Sequence, residues 1–387
     1  MQNRFTPSLF ALSLLGVTSA FAAPMAPLHI PLVAGGWQAS GNAIFITREA
    51  FPDGILQVTS ESLAGFVALK DQQFGDGTIE FDIKPVGEEF PGIRFHQKNS
   101  DTADMLYIRV SPDCPAAQDC LQYVPIIKGR VLWDVYPQYQ AAAPFRGNEW
   151  NHIRLVISGK RMNVFVNGRT EPSLRVTHLE GAASTGTIAL EGTAYYANLT
   201  LEPGVTEGLD PKPAPDPAAG DPRYLVRWQG TDPVPLGTMM DPPSLSNLPQ
   251  SAASWSPVTA DYGGLINLSR FHAPTPKQEP PQMIWLRTTV QSDREQVRHV
   301  SLGWLREIWI FAGEKSVFSG KNLYNAKGGR KAPDGRLSLE NDGFDLPLHK
   351  GANEIVVAID GNTPDMVGRY GWGFVMRLDG ADGITEK

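Results

Sequence analysis

Residues 148–169, NEWNHIRLVISGKRMNVFVNGR, contain the pattern on which the fold prediction depends. Apolar side chains occupy every second position in two runs, 153–157 and 162–166. A period of two residues is typical of a β-strand. Ser-Gly-Lys at 158–160 supplies a reversal between the runs, and Asn-Gly at 167–168 is a strong signal for a further tight turn. The segment is therefore predicted to be a β-hairpin that leads into another hairpin. Because it holds no nucleophile beside a base, its role must follow from the sheet to which it belongs.

The composition of the whole chain favours an all-β protein. Its 387 residues include 38 Gly and 32 Pro, with many β-branched runs and no long segment of helical period. This length exceeds that of one compact domain, so two domains are expected. The formal net charge is −7, so the chain lacks the excess of basic residues that binding to phosphate backbones requires. Nucleic acid is therefore not an expected partner.

Residues 1–23 have the pattern of a cleaved secretory signal peptide. One cation, Arg4, precedes an apolar run at 9–17, and small residues lead to an expected cleavage after Ala22 or Ala23. Losing Arg4 with this segment changes the formal charge from −7 to −8. The apolar run is too short to span a bilayer, so no membrane span is expected. The sequence thus predicts a secreted or periplasmic protein.

The only two cysteines, Cys114 and Cys120, lie in the turn-rich segment SPDCPAAQDC. In an exported protein such a pair is predicted to form a small-loop disulfide. The alternative, a zinc site, is weak because no histidine is close in sequence and two thiols do not fill four ligand positions.

A boundary between two domains is predicted at residues 204–223, GVTEGLDPKPAPDPAAGDPR. Proline, glycine and acidic residues dominate this segment, as in a proline-stiffened linker. Strand-like runs on both sides predict one two-sheet sandwich in residues 24–203 and another in 224–387. Because the linker adds nothing to a core, each half is expected to fold alone, with proteolysis cutting between them.

Four motifs around the hairpin occur in a familiar order. GTIEFDIKP at 77–85, PGIRFHQ at 91–97, MLYIRVS at 105–111 and GTIALEG at 186–192 resemble the concanavalin A-like lectin and glucanase jelly rolls. Within that group, residues 30–203 are similar to laminin-G-like and 3-keto-disaccharide-hydrolase-like domains. The matching residues are mostly framework, so the resemblance implies fold more strongly than activity.

The second half resembles a galactose-binding-like β-sandwich, the accessory kind appended to glycosidases. The resemblance depends on EIWIFAGEKSVFSG at 307–320, LPLHKGANEIVVAID at 346–360 and GWGFVMRLDG at 371–380. It implies a second binding module over about residues 224–380.

Register counting places six polar or aromatic side chains on one sheet face. Strand 78–84 is predicted to pair with 91–97 through a turn near Gly87, and 91–97 with 105–110, while the alternating apolar residues face the core. Asp82 would then lie beside Arg94 and Arg109, which would face each other. Two opposed arginines repel each other unless a carboxylate or an anionic ligand lies between them. A salt-bridged ladder and a binding face both remain open, and the resemblance, which implies ligands on the concave face, favours binding. The six are Glu80, Asp82, Arg94, His96, Tyr107 and Arg109.

Aromatic residues supply further candidates, because their rings stack on the apolar faces of sugars. The segment VLWDVYPQYQ, at 131–140, is predicted to form a platform beside the polar face. In the second half, tryptophans on a strand and in the glycine-rich turn RYGWGF are candidates. The alternative for each ring is burial in a core or at a sandwich edge. These rings are Trp133, Tyr136, Tyr139, Trp309 and Trp372, with Trp304 and Tyr370 as neighbours.

Catalysis is also open. Glucanases of the resembled group carry E-x-D-x-x-E on one strand, for retaining hydrolysis by paired carboxyls. Glu80 and Asp82 fill the first two positions, but Pro85 occupies the third. Glu88 or Glu89 would have to replace the proton donor, although an exposed acidic loop is the favoured interpretation. Glu80, Asp82 and His96 remain the candidate catalytic residues.

The leading prediction is an exported carbohydrate-binding protein whose partner is a glycan or polysaccharide. The alternatives are a glycoside or 3-keto-glycoside hydrolase or lyase on the same face, and an envelope adhesion or scaffolding protein. No cofactor is assigned, but the resemblance leaves calcium open, because acidic turns would supply oxygen ligands. The residues are Asp101, Asp104, Asp113 and Asp119. The oligomeric state is left open.

Overall fold

The computed structural model describes most of the chain after residue 25. The described ranges are 26–60, 65–87, 90–109, 111, 113–235, 243–273, 282–324, 335–361 and 370–387. The predicted signal peptide at 1–23, the acids Glu88 and Glu89, and Arg369 lie outside them. Within the described ranges, no helix is long and apolar enough to cross a membrane.

Between residues 28 and 203, the described part of the chain contains sixteen strands, which form the first sandwich. They are β1 (Leu28–His29), β2 (Trp37–Ala39), β3 (Ala43–Arg48), β4 (Phe51–Val58), β5 (Phe66–Leu69), β6 (Gly77–Pro85), β7 (Gly92–Asn99), β8 (Thr102–Ile108), β9 (Leu121–Ile127), β10 (Arg130–Val131), β11 (Gln140–Ala141), β12 (Asn151–Ser158), β13 (Arg161–Val166), β14 (Leu174–Val176), β15 (Thr187–Glu191) and β16 (Ala194–Pro203).

The second sandwich contains the remaining strands. They are β17 (Arg227–Gly230), β18 (Val234–Pro235), β19 (Ser256–Thr259), β20 (Ile266–Asn267), β21 (Gln282–Ser292), β22 (Gln296–Trp304), β23 (Arg306–Ala312), β24 (Lys315–Asn322), β25 (Asp342–Leu348), β26 (Gly351–Asp360), β27 (Gly373–Leu378) and β28 (Ile384–Glu386). The helices in the described ranges are single 3-10 turns, at Ala34–Gly36, Leu245–Asn247, Ala252–Ser254, Tyr262–Gly264 and Leu268–Arg270.

The first sandwich consists of two antiparallel sheets. Sheet A has the order β14-β13-β12-β6-β16-β4-β3, with β1 beside β16, and sheet B has the order β10-β9-β8-β7-β15-β5-β2, with β11 beside β9. The predicted hairpin is confirmed as β12 and β13, with Ile153 opposite Val166. Asn167 and Gly168 both take positive φ, as a tight turn requires, and β14 then pairs with β13. The all-β sandwich prediction is therefore correct.

The predicted pairing of strand 78–84 with 91–97 is wrong. β6 pairs with β12 and β16 in sheet A, whereas β7 pairs with β8 and β15 in sheet B. The prediction assumed that consecutive strands form a hairpin, which holds only as a tendency. Because both edges of β6 are already occupied, the chain crosses to the other sheet after Pro85 and separates Asp82 from Arg94.

The register predicted within sheet B also fails. β7 does pair with β8, but Arg94 lies opposite Met105 rather than Arg109. The register shifts between Phe95 and Asn99, and His96 in that stretch has a φ of +50°. Such a bulge redirects side chains and cannot be counted from a period-two pattern. The two arginines are therefore not opposed.

Residues 204–223 run along the surfaces of both sandwiches. The backbone N–H of Lys160 donates to the carbonyl of Pro211 at 2.9 Å, and that of Ala214 donates to the carbonyl of Thr177 at 3.0 Å. From the second sandwich, the Tyr262 hydroxyl donates to the Pro215 carbonyl at 3.2 Å. The segment has the composition of a linker but is attached at several points.

The second sandwich consists of sheet C, of order β19-β17-β21-β26-β23-β24 with β18 and β28 beside β21, and sheet D, of order β20-β27-β22-β25. Its core contains Trp372, which was predicted to bind a sugar. Leu265 and Leu305 belong to this half in sequence, yet both pack into the hydrophobic core of the first sandwich. The two sandwiches thus share apolar packing.

Candidate functional site

Arg94 is a buried structural residue. Its guanidinium is 4 % exposed and forms an ion pair with the fully buried carboxylate of Glu191 on β15, its neighbouring strand. The guanidinium also lies 4.6 Å from the centre of the Phe66 ring. The register count predicted that Arg94 pairs with Asp82. In the structure it pairs with Glu191 instead.

His96 also points inward. Its Nδ1 lies 2.9 Å from Oδ2 of Asp104, and the Tyr123 hydroxyl donates to Oδ1 of the same carboxylate at 2.6 Å. The Tyr123 hydroxyl in turn accepts from the backbone N–H of Glu180 at 2.8 Å. A Cβ on Gly181 would lie 2.3 Å from Asp104 Oδ1, so only glycine fits beside this carboxylate. The network holds the interior of the first sandwich and offers no surface for a ligand.

Glu80 and Asp82 lie on the outer face of sheet A, away from the outer face of sheet B. His152 on β12 bridges them, with Nε2 3.2 Å from Glu80 and Nδ1 2.8 Å from Asp82. Asn198, at a bulge in β16, donates to Asp82 at 2.7 Å. The hydrogen bond to Asp82 is the largest cause that raises the pKa of His152, and burial opposes it. The two acids thus form a half-exposed cluster around one imidazole.

Tyr136 and Tyr139 do not form a platform, because both rings are buried in the core. The Tyr139 hydroxyl donates to Glu180 at 3.1 Å, and the Tyr136 hydroxyl accepts from Asn267 of the second sandwich at 3.0 Å. Burial is the largest cause that raises the pKa of each phenol, so both hydroxyls remain neutral. Neither ring has a free face on which a sugar could stack.

The tryptophans predicted in the second half are also buried. Trp309 is 7 % exposed and packs on the outer face of sheet C in a cluster with Trp285 and Trp255. Trp372 is 1 % exposed and lies in the core. The alternative of burial thus describes both positions.

A partly open cavity of about 230 Å³ lies between the two sandwiches. The outer face of sheet B and the segments after it form one wall, and two tyrosines of the second sandwich form the other. Aromatic and apolar side chains dominate the lining, with one arginine. The lining residues are Phe90, Met105, Tyr107, Arg109, Val131, Trp133, Tyr324 and Tyr370.

A polar network forms the floor of this cavity. Arg109 Nη2 donates to the Tyr107 hydroxyl at 2.7 Å and to Gln122 Oε1 at 2.6 Å, and Tyr107 donates to the same Gln122 oxygen at 2.5 Å. Gln122 Nε2 donates to the Trp133 carbonyl at 3.0 Å. Burial raises the pKa of Tyr107 well above its ordinary value despite the opposing guanidinium of Arg109. The phenol is therefore neutral, and the network fixes one arginine beside several ring faces.

Trp133 is the ring shared by both sandwiches. Its centre lies 4.9 Å from that of Tyr324 and 5.5 Å from that of Tyr370, and both pairs are edge-to-face. The Arg336 guanidinium lies 5.2 Å from the Trp133 ring centre. Three of the predicted binding residues, Tyr107, Arg109 and Trp133, thus line the cavity. The other predicted binding residues lie elsewhere.

Buried charges beside Trp133 hold the two sandwiches together. Arg306 Nη2 donates to Asp134 Oδ2 at 3.0 Å, and the backbone N–H of Gly371 donates to Asp134 Oδ1 at 2.9 Å. Burial raises the pKa of Asp134, and Arg306 is the largest opposing influence. From the first sandwich, Arg130 donates to the carbonyls of His272 and Tyr370, each at 2.9 Å. These bonds position the wall that Tyr370 supplies.

The acidic turns do not assemble a metal site. Across the described ranges, no three His, Cys, Asp or Glu side chains come together as metal ligands. Asp104 is committed to His96 and Tyr123. The predicted disulfide between Cys114 and Cys120 is confirmed and closes the loop that precedes β9.

Several residues of the site were not predicted from the sequence. Tyr324, and Arg336 over Trp133, reach this region only through the docking of the sandwiches, whereas Phe90 reaches it by packing on Tyr107 within the first sandwich. For Asp134 the sequence does carry a signal. A carboxylate inside the apolar run VLWDVY must find a partner when it is buried.

The fold and cavity define a two-sandwich protein with an aromatic cleft, and comparison with known proteins agrees for its first half. Residues 33–202 match the family model described as the 3-keto-alpha-glucoside-1,2-lyase-like domain. This match confirms the resemblance of the first half to 3-keto-disaccharide-hydrolase-like domains. The galactose-binding-like assignment of the second half stays a prediction. No curated protein matches the chain in sequence.

Three similar solved structures each cover less than half of this chain. The carbohydrate binding module CBM66 from Bacillus subtilis is 17 % identical, with 43 % of this chain and 95 % of that chain covered and a TM-score of 0.33. The beta-glucanase of Bacillus licheniformis is 15 % identical, with 46 % and 98 % covered and a TM-score of 0.30. A Bacillus subtilis protein of unknown function with a galectin-like fold is 13 % identical, with 46 % and 97 % covered and a TM-score of 0.34.

Proposed function

We propose that the protein binds a saccharide in the cavity between its two sandwiches. The observation that supports this most directly is the grouping of Trp133, Tyr107, Tyr324 and Tyr370 around one cleft, with Arg109 fixed at its floor. Sugar rings have an apolar face that stacks on such aromatics and a hydroxyl rim that accepts hydrogen bonds from arginine and tyrosine. A concave cleft suits a small ligand, whereas a protein partner needs a flatter surface.

The composition of the cavity favours binding over hydrolysis. Its described lining residues include no carboxylate. Retaining and inverting glycosidases require two carboxyl groups across the scissile bond. Glu80 and Asp82 belong to the opposite sheet, so they do not face a ligand in this cleft. The second sandwich takes part in binding by supplying Tyr324 and Tyr370, rather than as a separate module.

Glycan-array screening of the chain from residue 24, followed by calorimetric titration of the best ligand, tests this proposal. Trp133→Ala and Tyr324→Ala should each weaken binding by about 1–3 kcal/mol, the usual contribution of one stacking ring. Trp150→Ala is the matched control, because Trp150 is a half-buried ring that packs on Phe51 outside the cavity. Thermal melts of each variant separate lost binding from lost folding.

Two results would contradict the binding proposal. One is an unchanged affinity in both cavity variants. The other is an equal loss in Trp150→Ala, which would place the ligand elsewhere.

A second candidate function is catalysis on the outer face of sheet A. The supporting observation is the bridge from His152 to both Glu80 and Asp82, inside the region that matches the lyase-like family model. Carboxylates and an imidazole within hydrogen-bond reach of each other are candidate general acids and bases. Activity toward 3-keto-disaccharides that is lost in both His152→Gln and Asp82→Asn but kept in Trp133→Ala would favour this candidate. Activity unchanged by these substitutions would exclude the cluster.

We also propose that the protein is exported. The disulfide between Cys114 and Cys120 supports this, because such bonds persist in oxidising compartments. Mass spectrometry of the purified envelope fraction should find an amino terminus at Ala23 or Pro24. An intact Met1 there would contradict the proposal.

A further inference from the structure

We infer that the ligand of the cavity is an aryl glycoside, a sugar joined to an aromatic aglycone, with the aglycone ring in the buried part of the cavity and the sugar at its open side. This inference depends on the proposed function, because it names the class of ligand for the same cavity. The size of the cavity, the burial of its lining and the hydrogen bonds of its floor support it.

The cavity is large enough for one ring but not for an oligosaccharide. Its volume is about 230 Å³. An apolar cavity of about 150 Å³ holds one benzene molecule, and pockets that take drug-sized ligands measure about 300–1,000 Å³. One substituted ring therefore fits inside, and the rest of a larger ligand must lie outside, where the cavity is open.

The lining differs in burial between two parts of the cavity. Phe90 is 44 % exposed and the Arg109 side chain is 17 % exposed, so these two residues mark its open side. Four other lining residues are buried in one apolar cluster and form its inner end, namely Met105, Tyr107, Val131 and Trp133. An aromatic ring at the inner end would contact aromatic rings and a thioether, both of which favour an arene as partner.

The polar groups at the inner end already have partners. The Tyr107 hydroxyl donates to Gln122 Oε1 at 2.5 Å and accepts from Arg109 Nη2 at 2.7 Å. Gln122 Oε1 also accepts from Arg109 at 2.6 Å and from Gln140 at 2.9 Å. A sugar ring at the inner end would bury hydroxyl groups without partners of their own, at a cost in free energy, whereas an arene buries none. The Asp119 carboxylate lies 3.9 Å from Arg109 Nη1 and offsets its charge, so a neutral ligand suits this cavity.

Matched glycosides test the inference by calorimetric titration of the chain from residue 24. The probes are the phenyl and methyl glycosides of glucose, galactose and mannose, in both anomers, with phenol as the aglycone alone. We expect the phenyl member of at least one pair to bind about tenfold or more tightly than its methyl counterpart, because one stacked ring contributes enough free energy for such a change. Phenol should bind more weakly than that phenyl glycoside, because it lacks the sugar contacts at the open side.

A substitution that fills the inner end then locates the aglycone. Val131→Phe places a ring of the protein where the aglycone ring would lie, so the preference for the phenyl over the methyl glycoside should be lost. Val297→Phe is the matched control, because Val297 is exposed on β22 and does not line the cavity. If Val131→Phe fails to fold in thermal melts, Met105→Phe fills the same end from β8 and carries the test.

The failures are distinguishable. If no phenyl glycoside binds more tightly than its methyl counterpart while Trp133→Ala still weakens a bound glycan, the aromatic aglycone is wrong and the binding cavity stands. If Val131→Phe keeps the preference for the phenyl glycoside, or Val297→Phe lowers it as much, the aglycone lies outside the inner end and the inference is overturned. If phenol binds as tightly as its glycosides, or no glycoside and no array glycan binds, the proposed function fails together with the inference.

Discussion

Arg306 of the second sandwich donates to the carboxylate of Asp134 of the first sandwich at 3.0 Å, and the two side chains are 2 % and 0 % exposed. A buried ion pair repays its desolvation only when the geometry is good and the remaining oxygens are bonded. Here the backbone N–H of Gly371 occupies the other Asp134 oxygen. The pair therefore fixes the relative position of the sandwiches, and with it the shape of the aromatic cavity.

Asp134→Ala should destabilise the protein strongly. It leaves the Arg306 guanidinium buried without its carboxylate, a change that typically costs about 3–5 kcal/mol. Denaturant unfolding measures this loss. Arg175→Gln is the control, because its pair with Glu171 is exposed and should contribute under about 1 kcal/mol. Equal effects of the two substitutions would show that the buried pair does not hold the sandwiches together.

Gly371→Ala should disturb the docking of the sandwiches. A Cβ at this position would lie 2.0 Å from Val135 Cγ2 and 2.7 Å from Asp134 Oδ1. The neighbouring backbone must shift, because the interior is close-packed. Gly147→Ala is the control, since its added Cβ meets nothing within 4 Å. Calorimetric melts should show a clear fall in Tm for the first variant only, and an unchanged Tm in both would contradict the close approach.

Residues 204–223 should resist proteolysis under native conditions, in contrast to the expectation from composition. Their carbonyls at Pro211 and Lys212 accept hydrogen bonds from Lys160 and Arg161. Cleavage requires a locally extended, accessible backbone, which these bonds oppose. Mass spectrometry of early fragments is the measurement. Rapid cuts inside 204–223 that release two stable halves would support independent folding instead.

Arg94→Ala should lower stability without a direct effect on ligand binding. The substitution leaves the buried carboxylate of Glu191 without its partner, so a loss of about 3–5 kcal/mol is expected. Arg94 does not line the cavity, so the affinity of the folded variant should be unchanged. Unfolding and titration of the same variant check both statements. Weakened binding with unchanged stability would restore Arg94 as a ligand residue.

The interaction of His152 with Asp82 predicts a small pH dependence of stability. The folded state raises the pKa of His152 above its ordinary 6.5. The contribution is therefore fully present below pH 6.5 and is lost as the pH rises through the folded pKa. Because the side chain is 42 % exposed, it should amount to less than about 1 kcal/mol.

Unfolding of the parent protein and of His152→Gln between about pH 5 and about pH 9 measures this contribution. The difference in free energy of unfolding should shrink as the pH rises. Asp82→Asn should reduce the pH dependence by removing the charge that favours the imidazolium. A difference that grows with pH would have the wrong sign and would reject the interaction.

The sequence by itself determined the local structure of the hairpin formed by β12 and β13. Alternation in 153–157 and 162–166, with Asn167 and Gly168 at the turn, was enough to predict β12 and β13 correctly, since hairpin register is set by near neighbours. The disulfide of Cys114 with Cys120 was predictable for the same reason, because only a few residues separate the cysteines.

Only the tertiary structure decided which strands share a sheet and which residues line the cavity. β6 and β7 are consecutive, yet the pairing of β6 with β12 and β16 sends them to different sheets, and no local pattern encodes that choice. In the cavity, Trp133 contacts Tyr324 and Tyr370, which are far from it in sequence. These contacts form because the two sandwiches pack together, with Asp134 accepting a hydrogen bond from Gly371. Contacts of this kind depend on the packing of whole sandwiches, so periodicity cannot specify them.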